Sequence, residues 1–207
     1  MKLIPAGFVI EDIIDGDSLL KKIELCGRTC YKSEDKITNL SARQFAHKII
    51  ISGHESVLEH EKITVRVICD RGVSHEIVRH RIASYSQEST RYCNYSKDRF
   101  GNELTFIIPF FWNNEDCQGE LSIWKSAMIN AETAYFKLLT AGAKPEEARS
   151  VLPNSLKTEI VVTMNLREWR HFFHVRANEH AHPQMREIAV PLLEEFKKLI
   201  PVIFEDI

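Results

Sequence analysis

Apolar and polar side chains alternate along this chain with two different periods, and the period separates predicted strands from predicted helices. Residues 62–70 alternate with a period of two, which predicts a strand with one face in a core. Residues 3–10 and 106–111 are also predicted as short strands, the second interrupted by Pro109. Residues 157–166 are rich in β-branched side chains, which predicts a strand that is buried on both faces.

Elsewhere apolar side chains recur every three or four residues, the spacing of amphipathic helices. The longest such pattern covers residues 115–141, and Gly142 ends it. Residues 84–95 are polar and are predicted to be irregular. Asp17 and Ser18 are predicted to cap a helix that runs to about Cys26. The remaining predicted helices cover residues 42–51, 73–80, 145–153, 166–176 and 183–200. These elements predict an α+β fold, with a few antiparallel strands surrounded by helices, in a single domain of residues 1–207.

Composition narrows the class of protein. The 207 residues are 44% hydrophobic and 27% charged, enough for a packed core, and the net charge of −2 gives no overall attraction to nucleic acid or anionic membranes. No signal-peptide pattern is present, and no apolar run approaches the ~18 residues of a membrane helix. The five cysteines include no CxxC pair, so reduced thiols in a soluble, cytoplasmic protein are expected.

The densest polar segment is residues 79–92, which begins with Arg79, His80 and Arg81 and continues with several hydroxyl side chains. An arginine side chain is a planar fork that matches two phosphate oxygens at once, and hydroxyl groups add short neutral donors. The segment therefore indicates a site for a phosphorylated ligand. A solvated basic face is the alternative that these residues alone leave open.

A second polar cluster lies at residues 165–182, where Arg167 and His171 fall on one face of a predicted helix. His171 and His174 have a spacing that metal ligands use, but no carboxylate or cysteine nearby completes a set. His54 and His60 are six residues apart, not the four of a metalloprotease helix. We therefore expect structural histidines with satisfied hydrogen bonds here and no metal site, and the same polar density also suits an anionic cofactor.

Several motifs in order resemble the flavin-dependent thymidylate synthases. This chain matches the signature of that family in the segment Arg79-His80-Arg81, which is followed after seven residues by Ser89. The resemblance covers residues 28–188 or so, and four motifs in one order make it specific. The further matching motifs are Gly53-His54-Glu55-Ser56 with Glu59-His60, Ala148-Arg149 before Leu152-Pro153, and Asn165-Leu166-Arg167 with His171-Phe172, Arg176 and His180-Ala181.

The resemblance implies a reaction and its partners. The family transfers a methylene group from 5,10-methylenetetrahydrofolate to carbon 5 of dUMP, and reduced FAD completes the methyl group. NADPH regenerates the reduced flavin, and tetrahydrofolate leaves intact. Members are homotetramers with active sites at subunit interfaces. The resemblance implies neither a nucleic-acid nor a membrane partner.

The resemblance also implies residue roles. Arg176 matches the catalytic residue that ionises N3 of the uracil, and Arg149 matches a phosphate ligand contributed across a subunit interface. Two residues depart from the family: Glu76 stands in place of a glutamine, and Cys30 in place of a small hydroxyl residue. FAD is expected on Ser56, Arg79, His80, Arg81, Gln87, Asn165, Leu166, Arg167 and His171. Binding of dUMP is expected on Glu76, Ile77, Val78, Arg79, Gln87, Glu88, Ser89, Thr90, Arg91, Arg149 and Arg176.

Two other classes of function compete with this interpretation. A nucleic-acid-binding module would use the aromatic and basic side chains of one stretch for stacking and phosphate contacts. Against it, acidic residues dilute the stretch, and the sequence pI is near 6.5. A structural protein with a ligand-free basic groove would show no flavin and no turnover. The stretch contains Arg71, Arg79, Arg81, Arg91, Lys97 and Arg99, with Tyr85, Tyr92 and Tyr95.

Overall fold

A computed structural model describes residues 1–97 and 101–207, and the chain forms two compact units. Arg99, named in the nucleic-acid hypothesis, lies outside the described residues. The prediction of one domain stays a prediction. Unit 1 comprises Met1–Gly7, Val67–Arg79 and Ser86–Ile160, and unit 2 comprises Phe8–Arg66, His80–Tyr85 and Val161–Ile207.

The described residues form six strands in two sheets. A four-stranded antiparallel sheet has the order β2-β3-β6-β4. A separate parallel pair joins β1 and β5, with Lys2 opposite Thr105 and Ile4 opposite Ile107. The α+β prediction with an antiparallel sheet is confirmed, whereas the parallel pair was not predicted. The strands are β1 (Lys2–Ile4), β2 (Gly7–Ile10), β3 (Lys62–Asp70), β4 (Ala83–Gln87), β5 (Thr105–Ile107) and β6 (Lys157–Asn165).

Eight α-helices account for most of the remaining described structure. Three helices begin at prolines, which suit the first turn because they lack the N–H that has no partner there. Gly53 and Gly142 follow two of the helices with φ of 67° and 96°, a conformation that glycine adopts without strain. The helices are α1 (Gly16–Thr29), α2 (Ser41–Ile51), α3 (Arg71–Ile77), α4 (Gln118–Thr140), α5 (Pro145–Ala148), α6 (Leu166–Arg176), α7 (Pro183–Leu199) and α8 (Pro201–Phe204).

Four sequence predictions need correction. The predicted strand at residues 3–10 is two strands, because Pro5 lacks an N–H for a continuous ladder. Residues 83–87 form strand β4 although they are polar, so the prediction of an irregular segment is wrong there. Strand β6 alternates buried and half-buried side chains, so it is not buried on both faces. The cap of α1 is Asp15, which accepts from the Ser18 amide, not Asp17 or Ser18.

Each unit has its own core. In unit 1, β5 and α4 supply Phe106, Trp124 and Tyr135 to a buried cluster. In unit 2, Trp169 and Phe173 stack with ring centroids 5.7 Å apart, and Phe196 packs edge-on against both. Burying one such large side chain contributes roughly 1.5–3 kcal/mol. The aromatic packing fixes helix α6, which carries several of the predicted site residues.

Among the described residues, no helix combines the length and the apolar character that crossing a membrane would require.

Candidate active site

Five consecutive predicted nucleotide ligands of unit 1 begin with Gln87, the last residue of β4, and continue into the loop that follows. Its Nε2 donates to Ser74 Oγ at 2.9 Å and to Thr158 Oγ1 at 3.2 Å. Ser74 and Thr158 are both fully buried, so their hydroxyl groups are fixed in place. This arrangement orients the amide of Gln87 before any ligand binds.

Glu88 is also held from within unit 1. Its carboxylate accepts from the Tyr95 hydroxyl at 2.8 Å and from Lys157 Nζ at 3.1 Å, and its amide donates to the Glu159 carbonyl at 2.9 Å. Burial and the neighbouring Glu88 carboxylate raise the pKa of Tyr95, which keeps this phenol protonated as a donor. The predicted ligand Glu88 therefore has a structural role through its side chain.

The next residues bring two distant predicted ligands together. Arg149 Nη1 donates to Thr90 Oγ1 over 3.4 Å, although 59 residues separate the two in sequence. Ser89 Oγ accepts from the Arg91 amide at 3.3 Å, which shapes a tight turn. Arg91 lies 3.8 Å from Glu146 in an exposed ion pair. Unit 1 thus places a hydroxyl group and two arginines along one loop and the helical turn after α5.

Helix α3 positions the remaining nucleotide candidates of unit 1. Asp70 caps the helix by accepting from the Val73 amide at 2.7 Å. Ile77 is only 1% exposed and belongs to the core, and its predicted contact with dUMP stays a prediction. Glu76 is half-buried, and Val78 and Arg79 are exposed at the end of the helix. Of this group, Arg79 alone presents an exposed charged side chain.

In unit 2, the C-terminal motif starts helix α6. Asn165 caps the helix by accepting from the Glu168 amide at 2.8 Å, and Leu166 is fully buried. Arg167 is exposed and pairs with Glu59 at 2.7 Å. His171 is exposed one turn later on the same face. Arg167 and His171 are thus the accessible members of this motif.

His80, in unit 2, has a partner at each of its ring nitrogens. It is 5% exposed, its Nδ1 lies 3.1 Å from Glu168 Oε1, and its Nε2 accepts from Arg176 Nε at 3.1 Å. Burial lowers the pKa of His80, and the positive charge of Arg176 lowers it further, against the opposing hydrogen bond to Glu168. The Tyr85 hydroxyl donates to the His80 carbonyl. His80 is therefore a neutral imidazole at neutral pH.

The ligand atoms of His80, Glu168 and His171 lie within 4.8 Å of one another, a spacing that a metal site can have. The Arg176 guanidinium, however, donates to Nε2 of His80 at 3.1 Å. A fixed positive charge at that distance opposes metal binding. The geometry favours a hydrogen-bonded chain, and the absence of a metal stays a prediction.

A cavity of about 820 Å³ opens in unit 2 beside the predicted flavin ligand Ser56. Arg28 on its wall donates from Nε and Nη2 to the buried Glu24 carboxylate at 3.0 and 2.8 Å, and it lies 4.9 Å above the Phe45 ring. Ser41 donates to the other Glu24 oxygen at 2.8 Å. The cavity is lined, among others, by Arg28, Tyr31, Lys36, Phe45, Lys48 and Ser56.

Comparison with known proteins identifies the family. The model of the family described as thymidylate synthase complementing protein matches residues 13–202. A flavin-dependent thymidylate synthase of Geobacter sulfurreducens is 38% identical over 191 residues, covering 89% of this chain and 80% of that protein. One from Pyrococcus furiosus is 37% identical over 180 residues, covering 85% and 71%. This chain belongs to the flavin-dependent thymidylate synthases.

A solved structure shares the fold. The UMP/dUMP methylase PolB from Streptomyces cacaoi, bound with 5-Br dUMP, superposes with a TM-score of 0.81 at 25% identity, over 99% of this chain and 96% of that chain. Flavin dependence is a property of the family to which this chain belongs.

The family motifs in the sequence do not identify the neighbouring side chains that hold the predicted binding residues in place. Ser74 and Thr158 orient Gln87, Glu24 holds Arg28, and Glu168 contacts His80. One weak signal was available: an asparagine followed three residues later by glutamate is typical of a helix start, which marks Glu168 as a cap residue. The other partners lie far away in sequence and no local pattern marks them.

Proposed function

We propose that this protein makes dTMP by reductive methylation of dUMP, as an FAD-dependent methyltransferase. In the balanced reaction, dUMP, 5,10-methylenetetrahydrofolate, NADPH and a proton give dTMP, tetrahydrofolate and NADP⁺. The observation that carries this proposal is the 3.1 Å hydrogen bond between His80 and Arg176. It joins a residue expected to hold flavin to a residue expected to hold uracil, and a hydride donor and its acceptor must bind side by side.

For the nucleotide, we assign the phosphate to the arginines of unit 1. Arg149 and Thr90 are in contact, so a phosphate bound by one would lie within reach of the other. Arg91 and Arg79 add exposed guanidinium groups, and Ser89 adds a hydroxyl group. An arginine bound to a phosphate forms charge-assisted hydrogen bonds about twice as strong as neutral ones. Ser89 is assigned as a donor to dUMP, because a serine nucleophile needs an adjacent base.

The residues of unit 2 fit FAD. The cavity beside Ser56 offers cationic side chains for a diphosphate and the rings of Tyr31 and Phe45 for stacking. Its volume of about 820 Å³ lies within the usual range of cofactor sites, roughly 300–1,000 Å³. When bound, the flavin supplies the hydride chemistry. Arg167, His171 and the Asn165 cap would hold it at the start of α6.

Arg176 would act on the uracil. A fixed guanidinium at the pyrimidine edge stabilises the anion formed when N3 loses its proton, which enriches carbon 5 for attack on the methylene carbon. Charge placed in advance is often the largest catalytic contribution, and removing one such donor typically costs about 10²- to 10³-fold in rate. His80 holds the Nε of Arg176 and so fixes the plane of the guanidinium.

NADPH as reductant, the folate donor, a homotetramer and a cytoplasmic location are parts of the same proposal. They are supported by membership in a family whose relatives here are named flavin-dependent thymidylate synthases. The PolB relative is titled a UMP/dUMP methylase, which supports dUMP as the nucleotide.

The test is an absorbance spectrum of the purified protein, followed by the kinetics of flavin reoxidation. The protein should show flavin absorbance at about 450 nm and lose it on anaerobic reduction with NADPH. Adding dUMP should change the rate at which the reduced flavin is reoxidised. A colourless protein that also fails to bind added FAD would contradict the proposal. A salt titration of single-stranded DNA binding would then test the nucleic-acid alternative.

A further inference from the structure

Three side chains of unit 2 form a continuous hydrogen-bonded chain. Glu168 Oε1 lies 3.1 Å from His80 Nδ1, and Arg176 Nε donates to His80 Nε2 over 3.1 Å. Glu168 and His80 are 8% and 5% exposed, so water competes little for these contacts. The resemblance names His80 and Arg176 as ligands but assigns no role to Glu168.

The chemistry of imidazole fixes the direction of this chain. A guanidinium nitrogen can only donate, so Nε2 of His80 must carry the lone pair. The proton of a neutral ring then sits on Nδ1, where the Glu168 carboxylate accepts it. Burial keeps the pKa of His80 low, which is consistent with the neutral ring that this pattern needs.

Glu168 is itself held rigidly. It lies in the first turn of α6, where its amide donates to Asn165 Oδ1 at 2.8 Å and where a helix favours negative charge. The next residue, Trp169, is 1% exposed and donates to the Ile63 carbonyl at 3.0 Å. The position of the carboxylate is therefore set by the core of unit 2.

Resting on the proposed function, we infer that Glu168 is a positioning residue for the reaction: it fixes the tautomer and orientation of His80, and through His80 the plane of the Arg176 guanidinium that faces the uracil. Glu168 would touch neither dUMP nor flavin. Its effect on dUMP would require Arg176.

The first test needs no turnover. ¹⁵N NMR of selectively labelled, flavin-free protein at pH 7.5 should show His80 neutral, with Nδ1 protonated and Nε2 unprotonated. This result is expected whether or not the enzyme methylates dUMP. A ring protonated on Nε2 cannot accept from Arg176, and that result would overturn the inference.

The second test is a double-mutant cycle between Glu168→Gln and Arg176→Ala, measured on kcat and on the Kd of dUMP by calorimetry. In the presence of Arg176, Glu168→Gln should lower kcat about 10- to 100-fold, as losing a supporting partner typically does. In the Arg176→Ala background it should change kcat and dUMP affinity less than about 2-fold, because the residue it positions is gone.

Asp206→Asn is the matched control. Asp206 pairs at 2.6 Å with Arg170, which like Glu168 lies on α6, and Asp206 is not a member of the Glu168–His80–Arg176 chain. Its effect, through stability alone, should be the same with and without Arg176. If Glu168→Gln lowers kcat by the same factor with and without Arg176, Glu168 is merely structural and the inference is overturned. An unchanged kcat in Glu168→Gln would also overturn it.

The two proposals fail differently. A wild-type protein that binds flavin but makes no dTMP contradicts the proposed function, while the NMR result still decides the position of the His80 proton. An active wild-type protein with independent Glu168 and Arg176 effects contradicts the inference alone.

Discussion

Arg149 and Thr90 are hydrogen-bonded, Nη1 to Oγ1, across 59 residues of sequence. The contact links the helical turn after α5 to the loop after β4, both within unit 1. It unites two motifs that had been recognised separately in the sequence. A phosphate at this place would meet a guanidinium and a hydroxyl group already aligned with each other.

Arg149→Ala should raise the KM for dUMP about 10- to 100-fold, because a hydrogen bond to a charged group contributes about 1.5–3 kcal/mol. The KM for the folate should change little. Steady-state kinetics with Arg43→Ala, an exposed arginine on α2, as the control would check this. An unchanged KM for dUMP would remove Arg149 from the phosphate site.

Thr158→Val keeps the shape of a fully buried residue but removes the acceptor that Gln87 uses at 3.2 Å. We expect dUMP binding to weaken about 3- to 10-fold, since Gln87 then keeps only one of these two partners. Thr163→Val is the control, because Thr163 lies on the same strand and its hydroxyl group lies 3.0 Å from that of Thr64, away from Gln87. Equal effects of both variants on the Kd of dUMP would argue against a role for Gln87.

Glu24→Gln should weaken FAD binding about 10-fold. Glu24 is 1% exposed and accepts both hydrogen bonds that orient Arg28 on the cavity wall. A neutral amide is a weaker partner for a guanidinium, so Arg28 would be less well oriented toward a diphosphate. Fluorescence titration of the flavin-free protein measures the Kd, with Glu195→Gln, which loses an exposed pair with Lys198, as control. FAD affinity equal to wild type would place the cofactor elsewhere.

The free energy of unfolding should depend on pH because the imidazole of His80 is buried. Its ordinary pKa is 6.5, and burial lowers the folded pKa below that value. Well above pH 6.5 the ring is neutral in both the folded and the unfolded chain, so it adds no pH dependence to the free energy of unfolding. As pH falls from 6.5 toward the lower folded pKa, the unfolded chain gains a proton that the folded chain does not, so the free energy of unfolding decreases.

Urea unfolding of flavin-free protein between pH 7.5 and 5 measures this decrease. His80→Gln should lose less stability over that range than wild type, whereas His180→Gln should follow wild type because His180 is 87% exposed. Parallel curves for wild type and His80→Gln would show that the His80 pKa is not lowered.

The elements with strong local signals could be predicted from the sequence. Strand β3 and helix α6 have the predicted bounds, because regular alternation marks one and helical spacing marks the other. Strand β4 was missed because its side chains are mostly polar, and its pairing with β6 is a property of the folded sheet. Pro5 was a local signal for a break that the apolar run around it obscured.

The residues of the candidate site also fall into two groups, those that a sequence motif marks and those that no local pattern marks. Residues such as Arg79 and Arg176 were found because a family motif contains them, and their roles remain predictions. The partners of other candidate residues were not found: Thr158 lies 71 residues from Gln87, which it contacts, and Glu168 lies 88 residues from His80. Such partners are chosen by tertiary packing, which no short pattern records.

The most direct measurement is product analysis after incubating the purified protein with dUMP, 5,10-methylenetetrahydrofolate, NADPH and FAD. We expect dTMP and tetrahydrofolate in equal amounts, dependent on FAD, with Arg176→Ala slower by about 10²- to 10³-fold. Protein that binds and reduces FAD but forms no dTMP, or that forms dTMP without flavin, would contradict the proposed function.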